Sequence, residues 1–180
     1  MYTKVVDVID YPILFPAGET EFLSQGLGAL SDAVSCSVSW ESNGGYELQM
    51  QYPASGIHFE EITDRCIIFA KPNPYRDPQP FRVYRSTAPL NGVVTYYAQH
   101  LSYDLSGIPV TPFSADGVAA ALSGLKSNSV VDNPFSFWTD KTTSSHFAVD
   151  APASVRSRLG GNEGSILDVY GGEYIFDKWA

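Results

Sequence analysis

The clearest regularity in the chain is an alternation of apolar and polar side chains between Val34 and Tyr52. Apolar residues occupy every second position of "VSCSVSW" and of "YELQMQY", with serine, glutamate or glutamine between them. A period of two is typical of strands that have one buried and one solvated face. The connecting "ESNGG" contains Asn43-Gly44, a pair that tolerates the positive φ angles of a tight turn. The pattern therefore predicts a β-hairpin with one wet face.

Further strands are predicted on both sides of this hairpin. "CIIFA" (66–70) indicates one strand, and "FRVYRS" (81–86) and "VVTYYAQH" (93–100) indicate a second hairpin joined by "TAPLNG". The proline-rich "KPNPYRDPQP" predicts a loop without interior sheet bonding. With an early strand at Lys4 to Ile9, the first hundred residues contain at least six strands. This favours a β-barrel or sandwich over a βαβ fold.

A helix is predicted where the alternation stops. Ser114 or Asp116 can cap its N-terminus, because both side chains accept hydrogen bonds from the free N–H groups of a first turn. Its apolar stripe, interrupted only by Gly124, consists of Val118, Leu122 and Leu125. The sequence thus changes from strands to a smaller mixed α/β unit after about residue 108.

Short elements alternate over the remaining residues. "FSFWTD" (135–140) and "HFAVD" (146–150) indicate two strands. "APASVRSRLGG" predicts a helix with Pro152 in its first turn and Gly160 after its end, and "NEGSILDVYGG" predicts another that Gly171 ends. Glu173 to Trp179 then has apolar side chains on both faces and indicates a last strand. Such a strand needs a partner, because alone it would expose a large apolar patch.

Composition and charge narrow the class of protein. The chain has 180 residues, of which 44% are hydrophobic, enough for one domain or two small ones with a real core. The net charge of −9 is uneven: residues 1–64 carry −9, residues 65–85 carry +4 and the rest −4. The charges form either solvated faces or complementary surfaces that meet in an assembly. An acidic chain is poorly suited to specific nucleic-acid binding, and no apolar run indicates membrane insertion or a signal peptide.

The residue types that most often form reactive or metal sites are sparse. Cys36 and Cys66 are the only cysteines, and their spacing fits two buried thiols, with a disulfide or a metal site as alternatives. The cysteine content fits a protein made in a reducing cytoplasm. The histidines, His58, His100 and His146, have no partner two or four residues away, so we interpret them as surface or packing residues.

No catalytic constellation is apparent either. Glu60 and Glu61 are adjacent and point in different directions, while Glu41 and Glu47 flank the hairpin turn, as solvated residues do. Ser165 lacks a nucleophile-elbow motif, and no phosphate-binding loop is present. We therefore predict no catalytic, cofactor or metal site, and we expect alanine at Glu41, Glu60, Glu61, His100 or Glu163 to affect stability or assembly at most.

Several phrases, taken in order, resemble the N-terminal region of the tail-associated proteins of long-tailed phages. They are "VSWESNGGYELQMQYP", "FRVYR", "YYAQHLSYDL", "PFSFWTD" and "LGGNEGSILDVYGGEYIFDKW", which together extend over nearly all of residues 20 to 180. The family includes tail endopeptidases and tail lysins and is similar to the baseplate hub of contractile tails. A complete hub of this kind is about twice as long.

The resemblance implies a mainly β, α+β fold: a discontinuous β-barrel related to the tail-tube protein, with a small α/β domain inserted. On this basis we expect a barrel from residues 1–107 plus 172–180 and an inserted domain from 108–171, with Glu173 to Trp179 adding a strand to the barrel. It also implies a trimeric ring at the tail tip of a virion or prophage product, with the distal tail protein, tail tube and tape-measure protein as partners. DNA would pass through the ring without binding.

Two other functions fit the same sequence. A cell-wall hydrolase is one, since some members of the resembled family carry lytic modules. A carbohydrate-binding β-module of the tail tip is the other, since exposed aromatic side chains stack on sugars. A muropeptide assay would identify the first and glycan-array binding the second.

Overall fold

A computed structural model describes residues 10–180 of the chain, and the strand predicted at Lys4 to Ile9 lies outside the described residues. The contacts divide the chain into two compact units. Among the described residues, the first unit contains those up to Trp40 together with Tyr46–His100, and the second contains Glu41–Gly45 together with Leu101–Ala180. The division after His100 and the assignment of residues 172–180 to the second unit both differ from the predicted domain boundaries.

The first unit is one antiparallel sheet of seven strands that curls into a half-barrel. Its strands are β1 (Ile13–Phe15), β2 (Gly28–Ala29), β3 (Ser35–Trp40), β4 (Tyr46–Pro53), β5 (Ile67–Ala70), β6 (Gln79–Ser86) and β7 (Val93–His100). Their order across the sheet is β2-β1-β5-β6-β7-β4-β3. A mainly β fold with few helices is thus confirmed, and within the described residues the sheet has two edges, at β2 and β3.

Both predicted hairpins are present in the first unit. In β4 the side chains alternate between buried and solvated, as the period of two requires. The proline-rich loop is shorter than predicted, because β6 already begins at Gln79 and includes Pro80. Pro80 is tolerated there since β7 pairs with β6 only from Phe81 onward, which leaves Pro80 a strand neighbour on one side alone.

The second unit combines short strands with helices. Its strands are β8 (Pro109–Val110), β9 (Phe113–Asp116), β10 (His146–Val149) and β11 (Ala153–Ser154), which pair as β9–β10 and β8–β11. Its helices are α1 (Val118–Ser127), α2 (Val155–Leu159) and α3 (Ile166–Tyr170), and Leu101–Gly107 forms a 3₁₀ helix. The predicted stripe of α1 is buried, and Ala121 completes it.

The helix ends follow the prediction only in part. Ser114 and Asp116 lie in β9, so neither caps α1; the N-cap is Gly117, and the carbonyl of Thr143 accepts the Val118 N–H instead (3.1 Å). The caps of α2 and α3 are serines, while Gly160 and Gly171 end these helices as predicted. Pro152 is not part of a helix, because β11 intervenes before α2 begins.

Two predicted strands of the second unit are wrong. The segment 135–140 has no ladder partner, because side chains take its first backbone groups: Asn133 Oδ1 accepts the Phe135 N–H (3.0 Å) and Lys126 Nζ donates to the Phe135 carbonyl (2.6 Å). Glu173 to Trp179 forms no strand either and belongs to the second unit. Its aromatic side chains pack on that unit's core, namely Tyr174, Phe176 and Trp179.

Candidate functional site

Cross-strand rows of side chains run over the core-facing side of β3, β4 and β7. Residues directly opposite one another share a face of the sheet. The two complete rows are Cys36–Met50–Tyr96 and Val38–Leu48–Ala98, and Trp40 lies opposite Tyr46. The members on β4 and β7 are buried, with exposures from 0% to 4%. The core face of the sheet therefore continues onto β3 without interruption.

On β3, the side chains of this face are exposed to solvent or only half-buried. Cys36 is exposed, Trp40 is 42% exposed, and Val38 is half-buried. We call these three residues the edge face. Burying an apolar side chain of this size contributes about 1.5–3 kcal/mol, which this strand does not gain within one chain. Uncovered apolar groups in register with a core mark a surface that fits a partner.

The backbone of β3 is also open to pairing. Glu41 N–H donates to Gly45 O (2.8 Å) in phase with the pairs Ser39–Glu47 and Ser37–Gln49. By the alternation of antiparallel ladders, the backbone groups of the intervening Cys36, Val38 and Trp40 point away from β4. Strand Ser35–Trp40 contains no charged residue and no proline, the usual devices that prevent edge pairing. Among the described residues β3 is an edge strand, so its outward backbone groups can pair with another strand.

The neighbouring basic segment is engaged in local contacts. The Arg76 guanidinium lies over the Trp40 ring (5.1 Å), and that of Arg85 lies over Tyr97 (3.9 Å). Arg82 is buried and donates to the carbonyls of Ala17 and Arg65. Only part of the predicted basic stripe therefore remains as a cationic surface.

The three histidines occupy separate places. His58 Nδ1 is bonded to the Glu61 carboxylate three residues on, and the exposed His146 Nδ1 is 2.7 Å from Asp116 Oδ1. His100 is fully buried, stacks on Tyr46 with ring centroids 4.6 Å apart, and lies 3.3 Å from Gln79 Oε1. The three side chains thus lie in three different surroundings.

Other residues considered for chemistry also lie apart. The carboxylates of Glu41, Glu47, Glu60, Glu61 and Glu163 are on exposed residues. Ser165 is buried as the N-cap of α3, and its oxygen accepts the Asp168 N–H. Within residues 10–180, no group of three or more His, Cys, Asp or Glu side chains is placed to hold a metal ion.

The cysteines are both free, but only Cys66 is buried as predicted. Burial raises the pKa of the Cys66 thiol to about 12, so this group stays protonated at neutral pH. Cys36 is exposed because β3 is an edge strand. The alternation of apolar residues could not reveal this, since it is the same in an edge strand and in a central one.

Comparisons with known proteins add no identification. No protein-family model matches the chain, and no curated protein is significantly similar to it in sequence. In the part of the chain that the structure describes, every helix is too short or too polar to cross a bilayer.

Proposed function

We propose that the chain is a structural protein of the tip of a long phage tail, where copies form a trimeric ring that connects the tail tube and the distal tail protein to host-facing parts. The observation that carries the proposal is the edge face: a half-barrel whose core-facing rows end in the exposed Cys36 and Trp40 and the half-buried Val38. A neighbouring copy would cover these side chains and extend the sheet. The order of sequence phrases that resembles tail-associated proteins supplies the context.

The two ends of the sheet favour a ring over a two-fold dimer. One end is the six-residue β3 and the other is the two-residue β2. Contact between two unlike surfaces repeats around an axis and closes into a ring when the rotation permits, whereas a two-fold contact needs one self-complementary surface. On this proposal, each copy in the ring completes the half-barrel of its neighbour. The completed barrels would then have the tail-tube fold that the sequence resemblance implies.

The charge of the chain suits such a position. A net charge of −9 would repel a DNA backbone, so a ring lined by acidic side chains lets DNA pass without counterion-release binding. This proposal on charge is wrong if an assembled ring has its acidic side chains outside and the basic stripe, Arg65 to Arg85, lining the bore.

The oligomeric state tests the assembly. Native mass spectrometry and sedimentation at tens of micromolar should show trimers that Val38→Lys converts to monomers, because a lysine on β3 opposes pairing. Val131→Lys is the matched control, since Val131 is 50% exposed and lies outside the edge face. Circular dichroism checks that each variant folds. Monomers at every concentration, or trimers that resist Val38→Lys, would contradict the edge-face assembly.

The place in the virion needs a separate experiment. Antibodies against the chain should label the tip of the tail in electron micrographs of virions from the phage or prophage that encodes it. Label elsewhere on the particle, or none, would contradict the tail-tip assignment even if the chain forms trimers.

A further inference from the structure

The second unit contains an apolar cavity of about 190 Å³. Its floor is the core of the unit, and its sides are two segments without regular secondary structure, 136–141 and 173–176. The floor residues are Leu105, Val118, Leu122, Leu159 and Ile166. An enclosed apolar cavity of about 150 Å³ is large enough to hold a benzene ring. The space therefore suits one aromatic or large aliphatic side chain.

The mouth of the cavity exposes further apolar groups. Trp138 is 77% exposed and Ile175 is 65% exposed, and both line the cavity. One comes from each of the two segments, so apolar surface flanks the opening on both sides. A ligand that fills the cavity would also cover these two side chains.

The two segments resemble strands that lack a partner. The sequence predicts a strand at each of them, yet neither pairs in a ladder within the described residues. Within the described residues, the backbone groups of Phe137, Trp138 and Ile175 make no hydrogen bond. The segments are held near their ends instead: Ser136 N–H donates to Trp179 O (2.7 Å), and the Asn43 side chain binds the backbone at Gly172 and Tyr174.

Charges at the rim bias what can bind. Asp140, Lys141 and Glu173 line the cavity, giving one more negative than positive charge. Ser42 Oγ already donates to Glu173 (2.8 Å), whereas Asp140 has no ion pair within residues 10–180. A basic side chain beside Asp140 would therefore complement the rim.

We propose that this cavity binds an extended segment of a partner protein. The segment adds as a strand along residues 137–139 and 175, inserts one large apolar side chain into the cavity and places a basic side chain near Asp140. Main-chain hydrogen bonds would supply affinity and the cavity would supply specificity, as in other cases of strand addition. The site lies within the second unit, so it does not depend on ring formation through β3.

Peptide titrations followed by amide resonances of the intact chain test the proposal. The probes are acetylated seven-residue threonine peptides with a central Trp, Phe, Leu or Ala and a lysine two positions away, on the same face of a strand. We expect the three large anchors to shift the amides of Phe137, Trp138 and Ile175, and Ala to bind at least about tenfold more weakly. N-methylation of the peptide backbone next to the anchor should weaken binding similarly, because it removes the donors that a strand needs.

Substitutions of residues that line the cavity test whether the peptide binds there. Leu122→Phe reduces the cavity volume and Trp138→Ala removes one side of the mouth, and each should weaken the best peptide several-fold. Val131→Ala, an exposed residue of the same unit that does not line the cavity, should leave it unchanged. Binding that ignores N-methylation, or free indole that binds as tightly as the best peptide, would show a small-molecule pocket and overturn strand addition. No anchor-dependent shift with any peptide would overturn the site itself.

Discussion

The side-chain oxygen of Asn43 accepts a hydrogen bond from the backbone N–H of Tyr174 (2.8 Å), across 131 positions of sequence. The same amide donates from Nδ2 to the carbonyl of Gly172 (2.9 Å). Asn43 thus uses both its donor and its acceptor to bind the backbone of residues 172–174, as a strand partner would. It adopts φ 55° at the tip of the first hairpin, a conformation that asparagine tolerates better than most residues.

Asn43→Gly should therefore destabilise the second unit by about 1 kcal/mol, because it loses two hydrogen bonds that are exposed to solvent. Glycine keeps the positive φ, so backbone strain does not contribute. The matched control is Asn91→Gly, because Asn91 has φ 52° and no side-chain hydrogen bond within the described residues. Urea unfolding measures both variants, and equal stabilities would show that the Asn43 contacts contribute nothing.

A second prediction concerns Gly124, which interrupts the apolar stripe of α1. A Cβ at this position would lie 2.1 Å from the Phe113 ring, and that ring packs against Phe147 with centroids 5.8 Å apart. Gly124→Ala gains about 1 kcal/mol in helix propensity, but overpacking costs about 1–3 kcal/mol. We expect a net loss of about 1 kcal/mol in the free energy of unfolding.

The double variant Phe113→Ala/Gly124→Ala separates these two effects. Once the ring is removed, alanine at position 124 should become stabilising, so the two substitutions should show a coupling energy in a double-mutant cycle. Purely additive free energies would mean that the glycine is not there to accommodate Phe113.

Sequence patterns predicted the local elements of the fold better than the neighbours of each element. The alternation in β4 gave its buried side chains correctly, because that strand lies between two others. The same alternation in β3 describes an edge strand, since strand order depends on contacts with β7 that the local pattern does not contain. The edge face could not have been found from the period of two alone.

The wrong strand at Glu173 to Trp179 has a similar cause. Its apolar residues require burial, and they are buried, but against the core of the second unit. Backbone groups near both ends of the segment are taken by Asn43 and Ser136, which are remote in sequence. Period and composition indicate that a segment needs cover, and they do not indicate what covers it.

The two thiols give a third prediction, because they differ in exposure. Cys36 lies on the exposed edge face and Cys66 is 1% exposed. A disulfide reagent should modify one thiol per folded monomer, and Cys36→Ser should abolish that reaction. Burial raises the pKa of both thiols, to about 11 for Cys36 and about 12 for Cys66, so both react slowly at neutral pH. The expected difference rests on exposure, and the buried Cys66 should react only after unfolding. Two equally reactive thiols in the folded protein would contradict this assignment.

The dependence of the Cys36 reaction rate on protein concentration tests whether the chain assembles through the edge face. If copies cover the edge face, the reaction of Cys36 should slow as protein concentration rises into the range where trimers form, and Val38→Lys should keep it fast. A rate that is independent of concentration, measured where oligomers are present, would mean that the oligomer uses another surface.

Alkaline pH should weaken the attachment of the C-terminal segment. Tyr174 Oη donates to the Leu159 carbonyl (2.6 Å), and burial raises the pKa of Tyr174 above its ordinary value. The folded state thus favours the neutral phenol more than the unfolded state does. Its contribution is fully present below the unfolded pKa of about 10 and is lost as pH rises from there through the raised folded pKa. At pH 11 the loss amounts to about 1 kcal/mol.

Urea unfolding at pH 8 and pH 11 measures this loss, and Tyr174→Phe tests its origin. The variant should be less stable at pH 8 by about 1 kcal/mol, because it lacks the hydrogen bond, yet it should lose less stability between the two pH values than the wild type. Some dependence should remain, since burial also raises the pKa of Tyr170, whose hydroxyl donates to Ser145 O (2.8 Å). If Tyr174→Phe and wild type lose the same free energy between pH 8 and pH 11, then Tyr174 ionises as readily in the folded chain as in the unfolded one, and its phenol does not hold the segment to Leu159.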